Sequence, residues 1–306
     1  TTLLETSEKP PMQTVGELYL SYIESLKREN RVRYAGMYQI SYNSFIKFNK
    51  HLDIPFIDID TGWLKRYEQW MRSQNFAVNT IGTRLRHLRV IFNQALDMKL
   101  ITTDNYPFRA YKVSKMNQQT AKRALSKIDI INIINYKGKS ELEILAIDIF
   151  AFSYFTAGIN FIDIALLKDG NIIDNRVVYY RHKTKKRIIV PLQPKAIELI
   201  DKYRGGAYLF PILSAFHKTE VQIADRLHKV LGKVNKYLKQ IGKELKLPIP
   251  LTTYVARHSY ATVLKRSGVS TSIISESLGH STERITQVYL DSFGNDQMDE
   301  AMKNLL

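Results

Sequence analysis

The chain has 306 residues, 44% hydrophobic and 24% charged, an ordinary balance for a globular protein and length enough for two domains. Its 45 Lys and Arg outnumber 29 Asp and Glu, giving a net charge of +16 that favours a polyanionic partner, nucleic acid first among them. The lack of cysteine excludes disulfides and thiolate metal sites and fits a reducing cytoplasm; the scattered histidines predict no metal or cofactor, and no apolar run is long enough for a membrane span.

Residues 1–12 are polar and end in Pro10-Pro11, which reads as a flexible lead. Thr14 and Glu17 form a capping-box pattern ahead of Leu18, Tyr22 and Leu26 at helical spacing. A second helix is predicted over 34–50, a third after Asp60-Thr61 around Trp63, Leu64, Tyr67 and Trp70, and a fourth after Asn79-Thr80. In the fourth, Ile81, Leu85, Leu88, Phe92 and Ala95 make one buried stripe. These four helices predict a compact helical domain over 13–104. Residues 105–122 turn polar and basic and read as a linker.

Ser126 starts a new helix, opening a mixed domain over 123–306. An apolar helix is predicted over 142–155, broken at Ala157-Gly158, and a short one over 163–167. The β-branched runs 176–180 and 187–192 flank His182-Lys183-Thr184-Lys185-Lys186, a hairpin signal with lysines at its turn. Helices follow over 194–203, 220–245, 255–266, 271–278 and 298–305.

Residues 252–290 carry most of the functional signal. Arg257 and His258 share one predicted helix, Gly279-His280 ends the next, and Tyr289 follows nine positions after His280. An arginine, a histidine and a tyrosine in a basic protein suit metal-free attack on a phosphodiester. The phenol is the nucleophile, and the cations neutralise charge building on the phosphorus oxygens.

The strings ARHSYAT (256–262), LGHS (278–281) and the tyrosine nine residues after His280 resemble the C-terminal boxes of the tyrosine recombinases, the phage-integrase family. The strings FTAGINFIDIALL, YYRHKTKKRIIVPL and VYLDSF are most similar to integrases and DNA invertases of Bacteroidetes mobile elements. The resemblance implies a two-domain, C-shaped clamp, mainly α with a small antiparallel β-sheet in the second domain. It also implies a homotetramer on two double-stranded DNA sites, with helix 298–306 exchanged in trans. Many members carry a further N-terminal arm-binding domain, and a chain beginning at Thr1 rather than Met leaves room for one.

By the same resemblance, Tyr289 forms a 3′-phosphotyrosyl link and frees a 5′-hydroxyl, so that rejoining needs neither ATP nor metal. Arg257 grips phosphate through its planar fork, and His280 donates to a non-bridging oxygen. Lys183, on the hairpin, protonates the leaving 5′-oxygen. His258 is expected to pack beside Arg257. Asn160 stands where most of the family has an arginine, and Tyr254 where a histidine is common. The resembled subgroup also lacks that first arginine, and Arg181 and Lys168 are candidates for the missing charge. A helix like the fourth lies in or near a DNA groove in the family, which makes Arg84, Arg86 and Arg89 candidate DNA contacts, with His87 and Asn93 beside them. Lys112, Lys115, Lys122 and Arg123 are candidate phosphate contacts of the linker.

Two rivals use overlapping features. A type IB topoisomerase would use nearly the same residues, but a detachable C-terminal helix favours recombination. A non-catalytic DNA-binding relative would explain Asn160 and Tyr254, but not the joint presence of Arg257, His280, Tyr289 and Lys183.

Overall fold

A computed structural model describes residues 14–118, 124–287 and 290. They form two units, Thr1–Thr120 and Ala121–Leu306. The lead 1–12, Lys122, Arg123, Tyr289 and the expected helix 298–306 lie outside the described residues.

The first unit holds α1 (Val15–Arg28), α2 (Val32–Asn49), α3 (Thr61–Ser73) and α4 (Val78–Asp97). α1 begins with the expected box: the Glu17 amide donates to the Thr14 hydroxyl and the Thr14 amide to the Glu17 carboxylate, both at 3.2 Å. Asp60 caps α3 by accepting from the Trp63 amide at 2.6 Å. α4 departs from expectation, because it starts at Val78, after Ala77 and ahead of the expected Asn79-Thr80 cap, without a side-chain cap. Asn79 is spent elsewhere, exchanging two hydrogen bonds with the Gln118 backbone at 2.7 and 2.8 Å. Tyr19, Phe45, Tyr67 and Phe92 are fully buried at the centre of the unit. Ring contacts join the first three, with Phe45–Tyr67 tilted at 4.7 Å between centroids, while Phe92 meets Phe56 and Phe108 edge-on.

The polar stretch expected as a linker is largely part of this unit. Phe108, Tyr111, Val113 and Met116 are buried in the first unit's core. Short 3-10 turns at Pro107–Arg109 and Val113–Lys115 bring these four side chains to one side. Their apolar spacing of three, two and three residues fits neither helix nor strand, so it reads as polar loop in the sequence.

The second unit is built around α6 (Glu141–Phe155), preceded by α5 (Lys127–Ile134) and followed by α7 (Phe161–Leu166). α6 has no polar face, because helices pack on several sides of it, including α8 (Pro194–Tyr203), α9 (Glu220–Glu244) and α10 (Thr253–Arg266). The expected hairpin is present as β2 (Arg176–Tyr180) and β3 (Arg187–Pro191), antiparallel, with Val177 opposite Val190. A two-residue strand, β1 (Ile172–Ile173), adds to β2 and was not legible in the sequence. Two short helices close the described chain, α11 (Thr271–Ser277) and α12 (Glu283–Gln287). Among the described residues the molecule is therefore mainly α with one small antiparallel sheet.

Candidate active site

Among the described residues Arg257 is the largest fully buried side chain, at 2% exposure, on the second turn of α10. Its Nη1 donates to the Gly158 carbonyl at 2.7 Å, and its Nη2 to the Leu278 carbonyl at 2.6 Å and to His280 Nε2 at 3.0 Å. Both carbonyls stand at helix ends: Gly158 just past α6, Leu278 just past α11. The turn after α6 needs a left-handed backbone, with φ +57° at Ala157 and +67° at Gly158. A Cβ on Gly158 would stand 2.7 Å from Arg257 Cγ, so glycine is required for this close approach. These three partners of Arg257 are all neutral groups.

His280 follows Gly279, whose φ of +65° ends α11. Arginine can only donate, so His280 Nε2 is an acceptor here, and Nδ1 faces the Thr286 hydroxyl at 2.8 Å. His280 is expected to donate to phosphate; here its Nε2 accepts from Arg257. Burial, then Arg257, Arg181, Lys186 and Lys183 in turn, push the imidazole pKa down to about 3. The neutral ring therefore sits in the combined field of four cations.

The hairpin supplies three of them. Arg181, just after β2, is buried and donates from Nη1 to the Gly279 carbonyl at 3.1 Å; its Nε has no partner among the described residues. Lys186 reaches the His280 carbonyl at 3.4 Å. Lys183 is exposed on the turn. Asp163 on α7 anchors that turn by accepting from the His182 amide at 2.8 Å. Burial raises the Asp163 pKa, against the opposing effects of the His182 amide, Arg181 and the Asn160 side chain. Asn160, in the place of the usual arginine, thus serves the carboxylate that holds the hairpin. Neither Asp163 nor Thr286 was singled out from the sequence; a lone Asp or Thr inside an apolar segment gives no motif.

The remaining candidates divide. Tyr254 is on the first turn of α10, and its ring meets His258 edge-on at 4.8 Å. His258 is buried beside Arg257, as expected. Lys168 is exposed and lies 5.3 Å from the Tyr208 ring centroid. In the first unit, Arg84 is committed inward: it donates to Ser44 Oγ at 2.6 Å and packs over Phe76. His87 is likewise removed from the candidate DNA face, buried against Tyr38 at 4.1 Å and bonded to Ser41 Oγ at 2.7 Å. Arg86 and Arg89 are half-buried on α4, and Asn93, Lys112 and Lys115 are exposed.

Residues 14–129 match the phage integrase SAM-like domain, and residues 154–295 match the phage integrase family, so the two together cover most of the chain. The chain belongs to the phage integrase family of tyrosine recombinases. Members of that family are site-specific DNA recombinases. A tyrosine recombinase of Pseudothermotoga lettingae is 24% identical over 94% of this chain and 96% of its own length. Matches to several other curated relatives take in only 36% to 47% of those proteins' length. Among solved structures, the Tn1549 transposon integrase in complex with circular intermediate DNA superposes with a TM-score of 0.68 at 16% identity, covering 95% of this chain and 99% of that one. A lambda integrase tetramer bound to a Holliday junction gives 0.62 at 18%, covering 93% and 81%.

Proposed function

We propose that this phage-integrase chain cuts and rejoins duplex DNA at specific sites with Tyr289 as nucleophile. One observation carries the reading: Arg257, Arg181, Lys183 and Lys186 act together on the His280 imidazole, a field made for the phosphorane-like charge of a phosphodiester under attack. The Tyr289 oxygen attacks phosphorus as the bond from phosphorus to the 5′-oxygen breaks. Lys183, exposed on the hairpin turn, gives its proton to that leaving oxygen. Attack by a 5′-hydroxyl on the 3′-phosphotyrosine reverses the step, so no external energy or metal is called for. Phosphate arriving near His280 offsets the cations that depress its pKa, which favours a ring able to donate from Nε2.

Arg181 is our answer to Asn160. It is buried beside Gly279 and His280 with Nε unpartnered among the described residues, whereas Lys168 lies over Tyr208. The strings shared with Bacteroidetes mobile-element integrases favour that subgroup, and with it a tetramer whose helix 298–306 docks in trans. The apolar positions Met298, Ala301, Met302 and Leu305 fit such a helix. Arg86, Arg89, Lys112 and Lys115 are proposed DNA contacts of the first unit, joined by Lys122 and Arg123. In the test, a duplex selected from a randomised pool by its binding to the chain is nicked as a suicide substrate. A covalent adduct should appear on a denaturing gel and vanish in Tyr289→Phe; an undiminished adduct in that variant would refute the assignment.

A further inference from the structure

Thr286 takes no part in the phosphate chemistry above, yet it joins the site to the segment that carries the nucleophile. It is fully buried on α12, with its hydroxyl 2.8 Å from His280 Nδ1. Because Arg257 donates to Nε2, a neutral ring carries its proton on Nδ1, and the Thr286 hydroxyl accepts it. Thr286 precedes Tyr289 by three positions, and Leu290 follows it by one. Leu290 is buried against Ala261, Ile274 and Leu278, and its amide donates to the Thr286 carbonyl at 3.3 Å. At the start of α12, Ser272 Oγ donates to Glu283 at 2.5 Å and ties the helix to α11. Thr286, three positions before Tyr289, and Leu290, one after it, are therefore anchored, and the partner of Thr286 is the imidazole that also bonds Arg257.

We infer that Thr286 is a positioning residue of strand cleavage: its hydroxyl fixes the His280 tautomer, and with it Arg257, while holding the base of the segment that presents Tyr289. This rests on the proposed roles of Tyr289 and His280. Thr286→Val keeps the branched shape but removes the acceptor. Nδ1–H then loses its partner in a buried site, and moving the proton to Nε2 sets N–H against the donating Arg257. A residue of purely structural importance would not read out in the imidazole tautomer.

The test uses the whole chain labelled with 15N-histidine, its seven histidines resolved by long-range 1H–15N correlation at pH 7 and His280 assigned by a His280→Asn variant. The wild type should show His280 protonated on Nδ1 alone. Thr286→Val should lose that pattern and form the suicide-duplex adduct at least about tenfold more slowly with DNA binding unchanged. Thr286→Ser should restore both, and Thr286→Ala replaces valine should valine not be tolerated. A wild-type ring protonated on Nε2 overturns the inference, as does a hydroxyl-less variant whose adduct rate stays within about twofold of wild type. No adduct in the wild type, or one that persists in Tyr289→Phe, instead removes the reading on which the inference rests, whatever the spectra show.

Discussion

At the scale of single residues, the site gathers four cations, Arg257, Arg181, Lys186 and Lys183, around the neutral His280 imidazole. Arg257 is held by two backbone carbonyls and an imidazole. Gly158→Ala tests that hold, since the new Cβ would stand 2.7 Å from Arg257 Cγ at a φ of +67°. It should lower stability by about 1–3 kcal/mol in urea unfolding, and reduce adduct yield beyond what the lost folded fraction explains. Arg181→Ala should slow adduct formation at least about tenfold while Lys168→Ala leaves it unchanged; equal rates in the two variants would remove Arg181 from the site. Lys183→Ala should fail on an ordinary suicide duplex but recover on one with sulfur at the 5′-bridging position. A thiol of pKa about 8.5 leaves without the proton an alkoxide demands, so a variant slow on both substrates would show that Lys183 is not the acid. Arg257, His280 and Lys183 were legible because their neighbours form strings. Thr286 was not, because its importance comes from a fold that returns α12 to the end of α11.

At the scale of elements, the sequence carried most of the helices, since their starts are written as caps and their buried faces as apolar stripes. Thr14, Asp60, Ser126 and the 176–191 hairpin all behave as their patterns predict. The misses are short or aperiodic: the two-residue β1, the five-residue α12, and the 3-10 turns around Phe108 and Met116. Such pieces owe their form to the surface they pack on rather than to their own period. His87 shows how a helix face can mislead, because a polar residue among arginines is buried. Burial foremost, then Arg86, pushes its pKa from 6.5 down to about 4. A folded pKa below the unfolded one gives stability that is full above pH 6.5 and lost as pH falls toward 4. We expect the first unit to lose on the order of 2–3 kcal/mol across that window. His87→Phe, which keeps the stack on Tyr38, should flatten the slope when urea unfolding is compared at pH 7 and pH 4.5. An unchanged slope would mean His87 is not the group responsible.

At the scale of the whole molecule, the excess of 45 basic over 29 acidic residues should appear as a strong salt dependence of DNA binding. Log affinity should fall against log salt with a slope of about 0.9 per phosphate neutralised, and a nearly flat line in fluorescence anisotropy would remove the electrostatic account. Charge points to a polyanion but never to a reaction; that came from the ordered boxes at residues 256–289 and from the cations the fold gathers around His280. The most direct test of the central claim is to locate the covalent bond to DNA. The chain has 18 tyrosines, and the tryptic peptide 285–303 contains only Tyr289. Mass spectrometry of a trypsin- and nuclease-treated suicide complex should find that peptide carrying a 3′-linked nucleotide on Tyr289, and a nucleotide on any other residue would contradict the account.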